Sequence, residues 1–419
     1  MDQLDITFLD KVAESCVKLY NELPKTGKPV DGEWTVLSCI IQYDNRTEEF
    51  EVVSLGTGSK CIGASKMSAT GDILNDSHAE VFARRGFLIY LYENMEHALD
   101  SKQSIFNLEN GLFEVKDNVK FIFYSSQLPC GDASILPKAG EEEQYGDVLQ
   151  SMKKQAMEDI CDVEYKKAKE DIHRTGAKCL PDSEQDSKQP GASYHILAQV
   201  RTKPGRGDRS LSVSCSDKMA RWIRVGIQGG LLNLLLSKPI FINYLIFGSG
   251  VPYSDESLTR ALLKRNADES LLQPDILPQF YQSKLVFPHI RTEQNVRPAP
   301  GSIVWTKSKG VEVAVQGRKL GVTKKKAKSL SSSLFISKYN IYKRFQSILN
   351  RSEKVKKCIG LENLQDVPYI EMKRQSKRYL DKWELVKDIF FKSWTKKPDM
   401  WNFYNSCQTN HHKCHTPTC

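Results

Sequence analysis

The chain has 419 residues, 40% apolar and 9% aromatic, enough for a packed core in one or two domains. Its 60 Lys and Arg outnumber its 51 Asp and Glu, and the formal net charge of +9 favours an anionic partner. No run of eighteen apolar residues occurs, the stretch Trp222 to Phe247 being broken by Arg224, Lys238 and Pro239, and Asp2, Asp5 and Asp10 replace the basic-then-apolar start of a signal peptide. No membrane association is therefore expected, and a cytoplasmic or nuclear protein with mostly reduced cysteines is.

Phe8 to Leu23 spaces its apolar positions like an amphipathic helix that stops before Pro24. Trp34 to Ile41 and Phe50 to Leu55 read as strands with a turn at Asn45 between them. A helix is expected from about Ser77 to Met95, and a strand from Val119 to Ser125 that delivers Cys130 to the next helix start. Between about Lys138 and Ser193 the composition turns polar, which predicts an insertion, partly helical near Gln155 and partly flexible. Core-like sequence resumes at Ser210, and Tyr369 to Trp394 is expected to be an amphipathic helix. The expectation is one domain over residues 1–404, with 138–193 inserted. The Cys/His-rich tail 405–419 is expected to be disordered, since its spacing fits no standard zinc finger.

Chemistry concentrates in three places. His78-Ala79-Glu80, Pro129-Cys130-Gly131-Asp132 and Ser214-Cys215-Ser216-Asp217 supply a histidine, two cysteines and an acid suited to proton transfer. Zinc held by one His and two Cys keeps a fourth position open for water, as a catalytic site does. The H-x-E pair with distant cysteines is the arrangement of base deaminases, in which the glutamate shuttles protons. A plainer reading also exists, because Ser77-His78-Ala79-Glu80 fits a helix capping box and isolated cysteines are commonly buried.

Gly56-Thr57-Gly58-Ser59-Lys60-Cys61-Ile62, Asn75-Asp76-Ser77-His78-Ala79-Glu80, Pro129-Cys130-Gly131-Asp132-Ala133-Ser134 and Ser214 to Trp222 occur in that order. Together they resemble the deaminase domain shared by RNA-editing and tRNA adenosine deaminases, from about Trp34 to about Tyr404. His173 to Cys179 and Val200 to Arg209 resemble the tRNA branch, and only about thirty residues precede the similarity, which also favours that branch over editors with extra RNA-binding domains.

The resemblance implies an α/β, cytidine-deaminase-like three-layer sandwich: a central mixed sheet, helices on both faces, and a C-terminal helical part enclosing a polyphosphate. It implies one catalytic Zn2+ on His78, Cys130 and Cys215, with Glu80 catalytic. It also implies inositol hexakisphosphate as a structural ligand of Asn75, Arg84, Arg85, Lys218, Arg221, Trp222, Gln228, Tyr369, Lys373, Tyr379 and Trp394. Trp383 and Lys396 depart from the editing enzymes, which have a lysine and an acid there. Ser59 and Lys60 match positions that touch the target nucleotide.

The implied reaction is hydrolytic deamination of adenosine to inosine in the anticodon stem-loop of tRNA, at the adenosine 3′ of the anticodon (position 37) of alanine tRNA. No obligate protein partner is evident. The alternatives are an editor of double-stranded messenger RNA, an inactive zinc-stabilised RNA-binding protein, and a free-base or nucleoside deaminase. Basic runs at Lys203 to Arg209, Lys319 to Lys328 and Lys338 to Arg344 are candidate RNA contacts.

Overall fold

A computed structural model describes residues 4–138, 171–205, 207–265, 274–323, 325–326, 329–360 and 367–404. The tail after Tyr404 and the helix expected near Gln155 lie outside the described residues. Helix α1 (Ile6–Glu22) opens the chain, with Asp5 accepting the Thr7 N–H at 3.1 Å as N-cap. Eight strands then build one mixed sheet: β1 (Leu37–Asp44), β2 (Phe50–Thr57), β3 (Val119–Ser125), β4 (Tyr244–Ser249), β5 (Gln279–Val286), β6 (Gly301–Thr306), β7 (Gly310–Val315) and β8 (Arg318–Lys319). Their spatial order is β5-β4-β3-β1-β2-β6-β7-β8. The β5-β4 and β4-β3 pairs are parallel; the other neighbours are antiparallel.

Side-chain alternation sorts the sheet between two cores. Cys39 and Ile41 of β1, Ile122 and Tyr124 of β3, and Tyr244 and Ile246 of β4 pack with Leu9, Val12, Cys16 and Tyr20 of α1. Their neighbours Ile40, Phe121, Phe123, Leu245 and Phe247 face the opposite way. There they meet α2 (Ala79–Leu99) and α3 (Cys215–Val225). Helices therefore cover both faces of a mixed sheet, as the sequence led us to expect. Among the described residues no helix is long and apolar enough to cross a membrane.

Gly56 allows α2 to lie close on the sheet: a Cβ there would come within 2.4 Å of the Ala79 carbonyl oxygen and the Ala83 amide nitrogen. This contact fixes the first turn of α2, which carries Glu80, against β2.

The C-terminal part packs on the α2 side through α4 (Lys338–Arg351), α5 (Tyr369–Arg374) and α6 (Lys377–Val386). The single helix expected from Tyr369 to Trp394 is broken. Gln375 and Ser376 separate α5 from α6, and a π-turn at Lys387–Phe391 ends on Lys392 with φ of 57°. Buried Tyr369, Met372, Tyr379, Trp383 and Phe390 maintain an apolar face through the breaks, so the periodicity survived where the hydrogen-bonding did not.

Candidate active site

The segment Asp76–His78 pairs antiparallel with Ser59–Cys61, setting Ser59 opposite His78 and Cys61 opposite Asp76. His78 is the N-cap of α2 but makes no side-chain cap bond, and Ser77 belongs to the strand. The capping-box alternative is therefore not what the residues do. Instead His78 Nδ1 lies 2.9 Å from Asp76 Oδ1 and 3.2 Å from the Lys60 carbonyl oxygen, and the imidazole adjoins Cys130.

Cys130 follows β3 and precedes a single 3-10 turn, Asp132–Ser134, rather than the helix expected from sequence. Cys215 begins α3, whose N-cap Ser214 accepts the Asp217 N–H at 3.1 Å. The Cys215 N–H donates to Cys130 Sγ at 3.4 Å, and the Ser216 N–H donates to the Cys130 carbonyl at 3.0 Å. Glu80, in the first turn of α2, is 3% exposed, and its Oε2 has no hydrogen-bond partner. Ser59 Oγ is likewise buried and unpartnered.

The electrostatics follow from burial and one lysine. Lys203 Nζ lies 2.9 Å from Cys215 Sγ and 2.8 Å from Asp76 Oδ2. Burial works against its ammonium, but Asp76, Cys215, Cys130 and Glu80 outweigh that and hold its pKa well above the usual lysine value. Burial likewise opposes the Asp76 carboxylate, and Lys203, Lys218 and His78 overcome it and hold its pKa well below the usual range. Between the two coupled thiols, the Cys215 hydrogen bond, Lys203 and His78 favour the thiolate on Cys130. Glu80 is pushed up, first by burial and then by Cys130.

Among the described residues no three His, Cys, Asp or Glu side chains are already spaced as a metal cage; the imidazole and thiols instead contact one another in pairs. The donor set nonetheless fits zinc. The imidazole is oriented by a carboxylate through Nδ1 and adjoins a thiol, and carboxylate-oriented imidazoles are common among histidine zinc ligands. A second thiol adjoins the first, and a carboxyl with a free oxygen is buried beside them.

All eleven residues expected to bind a polyphosphate line one cavity of about 260 Å³ between α2, α3 and the C-terminal helices. Lys338 and Lys397 line it too, giving, among the described residues, seven cations there against the single carboxylate of Asp76. Burial, and then the neighbouring cations Arg221, Arg84 and Arg85, push Lys373 down to about 8. Burial is also the leading cause that lowers Arg84 and Arg85 to about 10. The Arg221 guanidinium lies 3.6 Å from the Trp383 ring centroid, so Trp383 stacks on a cavity arginine from behind. Phe403 covers this region by stacking on Tyr369 at 5.1 Å.

Three sequence expectations change. Lys203 is buried against Asp76 and Cys215 and so is withdrawn from the surface where RNA would lie, while Arg209 of the same loop bonds the Cys179 carbonyl. Of the run Lys338 to Arg344, Lys338 lines the cavity and Arg344 pairs with Glu93 and Glu96 at 3.2 and 3.6 Å. The second half of the polar segment packs inward, with Ile172, Ala177, Cys179 and Leu180 buried. The sequence motifs assign no role in the chemistry to Asp76 or Lys203. A two-residue spacing that puts Arg201 and Lys203 on one side, just ahead of Cys215, was the available signal.

Residues 54–398 match the family model described as the adenosine-deaminase (editase) domain. The tRNA-specific adenosine deaminase 1 of Drosophila melanogaster is 38% identical over 93% of this chain and 94% of its own length. That of Homo sapiens is 33% identical over 93% of this chain and 98% of its own. The double-stranded RNA-specific adenosine deaminase of Rattus norvegicus is 26% identical over 95% of this chain but only 33% of its own. With the His78, Cys130, Cys215 and Glu80 cluster inside the matched span, the chain belongs to the adenosine-deaminase (editase) family and is an enzyme that deaminates adenosine.

Proposed function

We propose that this enzyme converts adenosine to inosine in tRNA, at the adenosine 3′ of the anticodon (position 37) of alanine tRNA, using zinc held by His78, Cys130 and Cys215. The observation that carries the chemistry is Glu80, buried beside both thiols and the imidazole with one carboxyl oxygen unpartnered. Choice of tRNA rests on similarity along almost the full length of enzymes named for that substrate.

Zinc, when bound, supplies the Lewis acidity that makes water nucleophilic near neutral pH. Burial raises the proton affinity of Glu80, which suits it to carry one proton from the attacking water to the purine ring nitrogen and then the second from the resulting hydroxyl to the amino group that leaves as ammonia. Asp76 keeps the His78 ring fixed through Nδ1, and Lys203 steadies negative charge on the sulfurs. In this reading Ser59, paired with His78 across the two strands and with its hydroxyl unpartnered, meets the ribose of an adenosine drawn out of its stack.

The same reading assigns inositol hexakisphosphate to the cavity. Seven cations around 260 Å³ repel one another unless an anion of high charge lies between them. Bound there, it stabilises the folded chain by mass action.

The test is inosine formation with purified protein and its Glu80→Ala variant, on alanine tRNA and on a long RNA duplex. Inosine in the tRNA alone, abolished by the variant, is expected. Editing of the duplex would assign the chain to the double-stranded RNA enzymes, and zinc-loaded, folded protein without activity on either would overturn the tRNA reading.

A further inference from the structure

The segment 171–202 packs inward and is organised around one carboxylate. Asp186, only 11% exposed, is its hub. One carboxylate oxygen lies 2.9 Å from His195 Nδ1. Both oxygens accept from the Arg201 guanidinium, each at 2.6 Å. The Ile196 N–H donates to Asp186 at 3.0 Å, which fixes the carboxylate from a third side.

From this hub one hydrogen-bonded path runs to each cysteine. On the first, His195 Nε2 accepts the Thr175 N–H at 3.3 Å, which makes Nδ1 the donor to Asp186. Thr175 Oγ1 in turn accepts the Gly131 N–H at 3.2 Å, the amide directly after Cys130. On the second, the backbone of Arg201 brackets Cys215. Its carbonyl accepts the Ser214 N–H at 2.8 Å, and its N–H donates to Asp217 Oδ2 at 3.0 Å. Arg201 is fully buried, so its position is set by Asp186 and by the carbonyls of Ala177 and Ile196.

We propose that Asp186 is a positioning residue for the deamination: through His195 and Thr175 on one side and Arg201 on the other, it sets the loop of Cys130 against the helix start of Cys215. The proposal rests on reading His78, Cys130 and Cys215 as the metal-holding reaction centre. Direct bonds from Ser216 to the Cys130 carbonyl already join the two loops. They fix the carbonyl side of Cys130, whereas Thr175 fixes the following amide and with it the direction of the loop as it leaves the thiol. Partners behind metal ligands commonly change affinity or activity by about 10–100-fold when removed.

The experiment compares wild type with Asp186→Asn, Thr175→Val and Thr175→Ser. Zinc affinity is measured by chelator competition, the rate of thiol labelling in metal-free protein by a chromogenic disulfide, and kcat and KM on tRNA. Asp186→Asn leaves Arg201 without its counter-charge and could unfold the segment; Thr175→Val removes one acceptor oxygen, which takes the Gly131 and Ala177 N–H groups, at nearly constant shape and serves if it does. The expected result is a loss of about 10–100-fold in zinc affinity and in kcat for Asp186→Asn and Thr175→Val. KM should stay within about threefold, and Thr175→Ser should recover wild-type values because its hydroxyl can accept the same bond. Thiol labelling should quicken in the two damaged variants.

Unchanged zinc affinity and kcat with a lower melting temperature would reduce the network to plain structure and overturn the proposal. A raised KM at constant kcat would make the segment an RNA contact, which also overturns it. Should wild type deaminate no tRNA, the proposed substrate fails while the zinc and thiol measurements still decide the role of Asp186.

Discussion

Lys203 approaches Cys215 more closely than any expectation from sequence placed it, its Nζ 2.9 Å from the sulfur and 1% of its side chain exposed. The same ammonium lies 2.8 Å from Asp76 Oδ2, and Asp76 also accepts from Lys218, which lines the cationic cavity. One carboxylate thus touches His78 and both lysines. Replacing Lys203 by Met keeps the length of the side chain and removes the charge from beside two thiols. Zinc affinity and kcat should both fall by about 10–100-fold, measured by chelator competition and by inosine release. Unaltered zinc affinity would show that the ammonium does not steady the thiolates.

Glu80→Gln separates binding from proton transfer. The amide fits the same buried space but cannot take a proton, so kcat should fall by about 10²–10⁴-fold. Zinc content, read by atomic absorption, should remain that of wild type. Parallel loss of zinc would mean that Glu80 supports the metal rather than the reaction.

The cavity cations make stability depend on pH when no polyanion is bound. In the fold Lys373 is pushed down to about 8, while in the unfolded chain it keeps its proton to near 10.4. Between those values the unfolded state binds more protons, so stability rises with pH there and is lost as pH falls toward 8. Melting temperatures of polyphosphate-free protein should therefore climb between about pH 8 and 9.5, below the range in which tyrosines ionise. Added inositol hexakisphosphate should raise the melting temperature and flatten the slope. An equal slope with and without it would place the polyanion elsewhere.

Lys373→Met gives a result of opposite sign in the two states. Without polyanion the substitution relieves repulsion from Arg84, Arg85 and Arg221 and should raise the melting temperature by a few degrees. With inositol hexakisphosphate it removes a charged contact and should lower the melting temperature relative to wild type. Calorimetry on both preparations reads the change of sign.

Gly56→Ala tests the seat of α2. A Cβ 2.4 Å from two backbone atoms of the helix has no flexible neighbour to displace, so the helix must move. A destabilisation of about 1–3 kcal/mol by urea denaturation is expected, with loss of kcat because His78 and Glu80 move with the helix. A variant as stable and active as wild type would show that α2 can lift from β2 freely.

The sequence alone determined the candidate site residues and the layering. His78, Cys130, Cys215 and Glu80 carry their chemistry in residue type, and the alternation at Cys39-Ile40-Ile41 or Phe121-Ile122-Phe123 assigns each side chain to a face by a period of two. The eleven residues now found around one cavity were likewise legible by resemblance of motifs. Tertiary structure decided which charges turn inward. Lys203 and Lys338 look like any solvated lysines in sequence, because desolvation and ion pairing depend on neighbours brought from Asp76, Cys215 and Trp401. The same holds for Asp186, which lies in a polar stretch that reads as loop. Only the fold sets it against Arg201 and His195 and makes it part of the wall behind both cysteines.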